Sequence, residues 1–145
     1  VSALSAWAEK VAAAAARIEA DLAIEVARAQ SKDFLAIERA VTPKKTGRLA
    51  ESEAVDGVSG GGTHAVGVVS PHIIYAEFRN DGGTISAHAG LGRMGLRPHT
   101  LHWDGGGFPL HVTQKGAHYV QKAEAIGRGA LTGTAEVVIA GFLDF

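Results

Sequence analysis

The sequence predicts an α+β fold in which a long N-terminal helix and a C-terminal helix pack on a small antiparallel sheet of hairpins. Three observations predict it. Apolar residues recur at three- and four-residue steps from Leu4 to Val26, the helical period. After Leu49 the texture changes to short alternating pieces divided by glycine, as hairpins require. From Tyr119 the helical period returns.

The first helix is expected over Ser5 to Ala40. Leu4, Trp7, Val11, Ala15, Ile18, Leu22 and Val26 form one stripe, while Glu9, Lys10, Arg17, Glu19, Asp21, Glu25 and Arg28 fall mostly elsewhere on the wheel. The run Ala12 to Ala16 has high helix propensity and little bulk, so another backbone can approach it closely. Such a helix would be roughly 50 Å long, more than a domain of this size needs internally. Part of it is therefore expected to meet another subunit, through Trp7, Val11, Ile18 and Leu22, the alternative being a plain core helix. Ser31-Lys32-Asp33 is a candidate interruption, with Phe34, Leu35, Ile37 and Val41 resuming an apolar face.

The chain then turns at Val41-Thr42-Pro43-Lys44-Lys45-Thr46-Gly47-Arg48-Leu49. Pro43 lacks an N–H and biases Thr42 away from helical angles, so the helix should stop here. Thr46 is placed to cap a new turn with its hydroxyl, and Gly47 allows a tight bend before Leu49, the first residue to point inward. Ala50 to Val58 reads as a strand, or as a short helix running into one. Gly60-Gly61-Gly62 makes a turn, and Thr63 to Val69 is the hairpin partner, with Val66 and Val68 on one side of a period of two. Pro71 breaks the strand. Ile73 to Phe78 is a compact apolar and aromatic block ending at the turn Asn80-Asp81-Gly82-Gly83, and Thr84-Ile85 opens another strand.

Residues 86 to 98, with glycines at 90, 92 and 95, read as an exposed loop. Thr100 to Trp103 and Phe108 to Thr113 read as a second hairpin around Asp104 to Gly107. In the closing helix Gly127, Gly129 and Gly133 each weaken the pattern by up to ~1 kcal/mol, so it is expected to bend or stop early. The stretch from Val137 to Phe145 reads as a continuation of that helix or as a strand, within an expected interface tail at 131 to 145. Its apolar residues, Phe142 and Phe145 among them, are expected to be buried against a neighbouring copy.

Composition limits the chemistry. With 145 residues and no cysteine, one domain can bury a core, and neither a disulfide framework nor a thiolate metal site is available. A formal charge of −1 gives no global basic field to draw the chain to nucleic acid. No uninterrupted apolar run approaches the ~20 residues of a membrane span, and the first residues lack the basic start and apolar core of a signal peptide. The expectation is a soluble protein made in the cytoplasm.

Each candidate constellation has a plainer reading. His99, His102, Asp104 and His111 carry donor types suited to zinc, but not at the spacing of a helical site. They are read as solvent-facing or hydrogen-bonded, and no metal or cofactor is assigned. Ser70-Pro71-His72 shows no carboxylate placed to orient the histidine, and neither glycine triplet is followed by a phosphate loop's Lys-Ser/Thr pair. Glu51, Glu53 and Asp56 have the spacing of one acidic strand face. Lys44, Lys45 and Arg48 form a basic corner without interleaved aromatics. No catalytic residue is assigned, and the chain is not read as an enzyme.

The order of motifs carries more. A long helix leads to Pro43, Thr46, Gly47 and Leu49 with Ser52 just beyond, then to Tyr75-Ala76-Glu77-Phe78 and Gly82-Gly83-Thr84-Ile85. Leu101-His102-Trp103, Val112, Gly116 and His118 to Ala123 follow. Over residues 5 to 126 this succession resembles the minor virion proteins that join head to tail in long-tailed phages. In that family a Pro-x-x-Thr-Gly-x-Leu turn precedes a hairpin and a Tyr-Ala-x-Phe block leads to a Gly-Thr pair. The chain departs from it at Arg79-Asn80-Asp81, where members often carry a glutamate, and at Gly116 to Tyr119, where a proline and an aromatic usually open the last helix.

The resemblance implies a structural neck, tail-completion or tail-terminator subunit, assembled in the host cytoplasm into a homo-oligomeric ring of the virion. Its partners would be connector or head-closure proteins and tail-tube or tail-terminator proteins, with DNA only as passing cargo and no membrane. In such a ring Glu51, Glu53 and Asp56 would face the channel and repel DNA. The rival readings are a histidine-dependent metal-binding hydrolase and a cellular binding module.

Overall fold

The computed structural model describes residues 2–86 and 111–144, which fall into two compact units, one of residues 1–73 with 119–145 and one of residues 74–118. The fold is α+β: a long N-terminal and a C-terminal helix, with two small antiparallel two-stranded sheets.

In the first unit, helix α1 runs unbroken from Ala3 to Val41. Ser2 caps it by accepting a hydrogen bond from the Ser5 N–H at 3.2 Å. The interruption expected at Ser31-Lys32-Asp33 does not occur. Ser31 is buried, and its hydroxyl is satisfied within the helix by donating to the Ala27 carbonyl at 2.7 Å. The helix ends where Pro43 dictates: Thr42 is extended at ψ 133°, and its N–H makes the last bond to the Glu38 carbonyl.

Gly47, at φ +80°, reverses the chain in the left-handed region that a side chain disfavours. Thr46 is not the cap of the next turn; Gly47 holds that position without a side-chain bond, and the Thr46 hydroxyl lies 3.5 Å from the Arg48 nitrogen. Helix α2 (Arg48–Ser52) buries Leu49 and Ala50 and runs straight into β1 (Glu53–Gly61), the second of the two forms expected for this stretch. β1 pairs antiparallel with β2 (His64–Pro71), with a bulge between Val55 and Gly57 that leaves Asp56 without a cross-strand partner. β2 ends at Pro71, where a break was expected, with Pro71 paired opposite Glu53.

The hairpin lies on α1 with Ala65, Gly67 and Val69 half-buried and Val66 and Val68 exposed. Small residues take the inner side because the approach is close. A Cβ on Gly67 would come within 1.8 Å of the Ser31 hydroxyl and 3.3 Å of the Ala27 carbonyl.

Helix α4 (Tyr119–Leu143) packs antiparallel to α1. Phe34 meets Gly127, Gln30 donates to the Leu131 carbonyl at 2.9 Å, the Thr134 hydroxyl donates to Asp33, and the Arg17 guanidinium sits 5.0 Å from the Phe142 ring centroid. The early stop expected from the glycines is not seen, nor is a C-terminal strand. Gly127 is where the ring of Phe34 packs, and among the described residues no atom outside the helix approaches Gly129, Gly133 or Gly141. By length and composition alone α4 would also suffice to cross a bilayer, although Arg128 and Glu136 interrupt it.

In the second unit, helix α3 (Ala76–Asp81) follows Tyr75, and strands β3 (Gly82–Ser86) and β4 (His111–Lys115) pair from Gly82↔Lys115 to Ser86↔His111. Beyond β4 the chain returns to α3, the Ala117 and His118 N–H groups donating to the Arg79 and Asn80 carbonyls. The expected loop at 86 to 98 and the expected strand at Thr100 to Trp103 lie outside the described residues, apart from Ser86 at the end of β3. The strand expected at Phe108 to Thr113 appears from His111, and its described partner is β3.

Candidate functional site

Two polar clusters and one apolar surface stand out in the first unit. The first cluster lies at the end of α1. Glu38 on its last turns and Glu53 at the head of β1 are 2% and 0% exposed, among the largest fully buried side chains of the described residues. The Thr42 hydroxyl lies between them, 2.7 Å from the Glu38 carbonyl and hydrogen-bonded to Glu53 Oε1. The Arg39 guanidinium donates to the Glu53 carbonyl at 2.6 Å. Among the described residues, Glu38 Oε2 and Glu53 Oε2 have no partner.

Burial raises the Glu38 carboxyl to about 7, and the charge of Glu53 adds to that rise. Burial also raises Glu53, against the Thr42 bond and the charges of Arg39 and Lys44. Two buried carboxyls in electrostatic contact favour holding a proton near neutral pH. Thr42 has a single hydroxyl proton for two acceptors, the Glu38 carbonyl and Glu53 Oε1, and the bond to Glu53 favours that carboxylate's charged form.

The second cluster sits on the bulge. The Asp56 carboxylate accepts from the Ser70 hydroxyl on one oxygen and contacts His72 Nε2 with the other. The carboxylate partner missing from the linear reading of Ser70-Pro71-His72 is thus Asp56, brought across by strand pairing. These contacts hold Asp56 below the usual carboxylate range, the Ser70 bond contributing most. The carboxylate stands between hydroxyl and imidazole, so the histidine is not placed to take a proton from the serine as a nucleophile's base does.

The expected acidic face is therefore corrected. Glu51 is exposed on α2, Asp56 is exposed and engaged on the bulge, and Glu53 is sealed inside. A switch from helix to strand at Glu53 separates Glu51 from the other two, and the bulge changes the direction of Asp56. The three do not line one face.

Of the motif residues, Leu49 and Ala76 are buried, Pro43 is half-buried, and Thr46 is exposed beside Gly47. Tyr75 precedes α3 and is 36% exposed, and Gly83 and Thr84 lie on β3, where the Thr84 hydroxyl meets that of Thr113 at 2.8 Å. His99, His102 and Asp104 lie outside the described residues, as does Phe145; His111 is the first residue of β4. Among the described residues no group of three or more His, Asp or Glu is arranged to hold a metal ion.

The apolar surface belongs to α1. Because Phe142 packs over Arg17, the helix from Ala3 to Ala13 continues past the end of α4. Residues 2–10 are all exposed, Leu4 at 73% and Trp7 at 60%. Further along, Ile18, Leu22 and Val26 line an open groove of about 810 Å³ with Glu19, His64 at the hairpin tip and Ile139 of α4. Val11, Ile18 and Leu22 are half-exposed, whereas Phe142 is buried within its own chain. The apolar residues of the described core are chiefly alanines, while Val137 and Leu143 face outward. Comparison with protein-family models, with curated proteins and with solved structures returned no match.

Proposed function

We propose that this chain is a structural subunit of a phage head–tail junction, a neck, tail-completion or tail-terminator component that works by packing against copies of itself and against connector and tail proteins. The observation that carries the reading is the apolar surface of the α1–α4 pair. α1 projects beyond its own partner helix with Leu4 and Trp7 exposed, and α4 turns Val137 and Leu143 outward. Rows of large apolar side chains on a rigid scaffold are costly in water and favour protein neighbours. The ordered succession of the corner at Pro43 to Leu49, the hairpin, the Tyr75-Ala76 block and the closing helix supports the class of assembly.

Light scattering on the protein, alone and mixed with connector and tail-tube proteins from the same source, tests the proposal. A discrete ring, alone or on mixing, is the expected result. A monomer that ignores those partners, or one that floats with lipid vesicles through α4, would overturn it.

A further inference from the structure

We infer that α1 mediates a reciprocal antiparallel pairing of two copies, in which the exposed N-terminal end of each α1 lies in the groove of the other. The pairing goes beyond the head–tail reading and stands or falls separately from it.

Length is the first argument. The free end from Ala3 to Ala13 is roughly 16 Å long and the groove from Ala15 to Gln30 roughly 23 Å, so the first fits within the second. The second is the register. Setting Trp7 against Leu22 of an antiparallel copy places Val11 against Ile18 and Lys10 against Glu19, the acidic side chain of the groove wall. The two-fold axis then falls beside Ala15, inside the run Ala12 to Ala16; Ala14 is covered within its own chain, and the exposed small side chains of Ala12, Ala15 and Ala16 let the two backbones approach.

Charge is the third. Glu19 and Lys10 are both exposed, and the pairing brings together opposite charges twice, once on each side of the axis. Trp7 supplies the aromatic anchor, entering a cleft bounded by Ile18, Leu22, Val26, His64 and Ile139. A single contact type thereby covers the free end and the groove of both copies at once. Any larger ring built on it has an even number of subunits.

The test is sedimentation of the full chain over a range of concentrations, for the wild type and for Trp7→Glu, Lys10→Glu, Glu19→Lys and the double variant K10E/E19K. The expected result is a dimer or an even multiple for the wild type, and at least roughly tenfold weaker association for Trp7→Glu, with the helix content retained. Each single charge reversal should also weaken association, and the double reversal should restore it. The charge variants lie on exposed surface, so they report on pairing even if Trp7→Glu disturbs the fold. A monomeric wild type overturns the pairing, as does an assembly indifferent to Trp7→Glu or a double reversal that restores nothing. A ring that survives all four variants removes the pairing alone, whereas dimers that never join connector or tail proteins remove the head–tail reading alone.

Discussion

The Thr42 hydroxyl lies between the Glu38 carbonyl and the Glu53 carboxyl, so the end of α1 and the start of β1 are joined through one side chain with a single proton to donate. Around it two buried glutamates each keep an oxygen without a partner among the described residues. The corner is consequently sensitive to protons.

Stability should fall as pH rises from about 4.5 to about 7. Glu38 has its folded value raised from 4.5 to about 7, so in that window the folded chain binds more protons than the unfolded one. The stabilisation is complete below the unfolded value, is lost as pH rises through the folded one, and amounts to on the order of 3 kcal/mol. Glu53, also raised, acts in the same direction. Asp56, lowered from 3.8, acts oppositely and only in acid, its contribution vanishing as pH falls below the ordinary carboxylate range. Urea denaturation at a series of pH values measures the slope, and Glu38→Gln should flatten it and be the more stable protein at pH 8.

Thr42→Val should cost about 1–3 kcal/mol, because it deprives buried Glu53 of its hydroxyl partner without changing the shape of the site. Glu53 should then hold its proton to still higher pH. Titration of the carboxyl by NMR in the variant and the parent checks both points.

Gly67→Ala should destabilise by about 1–3 kcal/mol, since the added methyl would overlap the Ser31 hydroxyl. Adding Ser31→Ala removes the atom struck first and should recover part of the loss, although the Ala27 carbonyl still limits the approach. Thermal melts of the two single variants and the double measure the coupling.

Alanine in α4 should divide the glycines. At Gly129 and Gly133 no atom of the described residues outside the helix comes near an added Cβ, so each substitution should stabilise by up to ~1 kcal/mol through helix propensity. At Gly127 the methyl would lie 3.2 Å from the Phe34 ring, and the gain should shrink or reverse. Melting temperatures of the three variants give the order.

These residues also show what the sequence made legible. The stripe from Leu4 to Val26, the stop at Pro43 and the turn between β1 and β2 follow from local periodicity and backbone sterics, and they stand as read. Interruptions guessed from local weakness did not materialise, because Ser31 finds a carbonyl one turn back and Gly127 finds Phe34 across a helix pair. The alternation of β2 was legible, but not which of its faces met α1; Val66 and Val68 face out, and Ala65, Gly67 and Val69 face in. Nor did the spacing of Glu51, Glu53 and Asp56 reveal that one would be sealed inside and another tied to His72. Both depend on a helix-to-strand switch and a bulge, which spacing alone does not encode.

The continuity of α1 has a mechanical consequence. At 39 residues it is a rod of roughly 58 Å, hydrogen-bonded from end to end and braced only along its later part by α4 and the hairpin. From Arg17 onward the rod is held by Phe142 of α4, so its free lever is roughly 20 Å long, and a bend of about five degrees there moves Ser2 by roughly 2 Å.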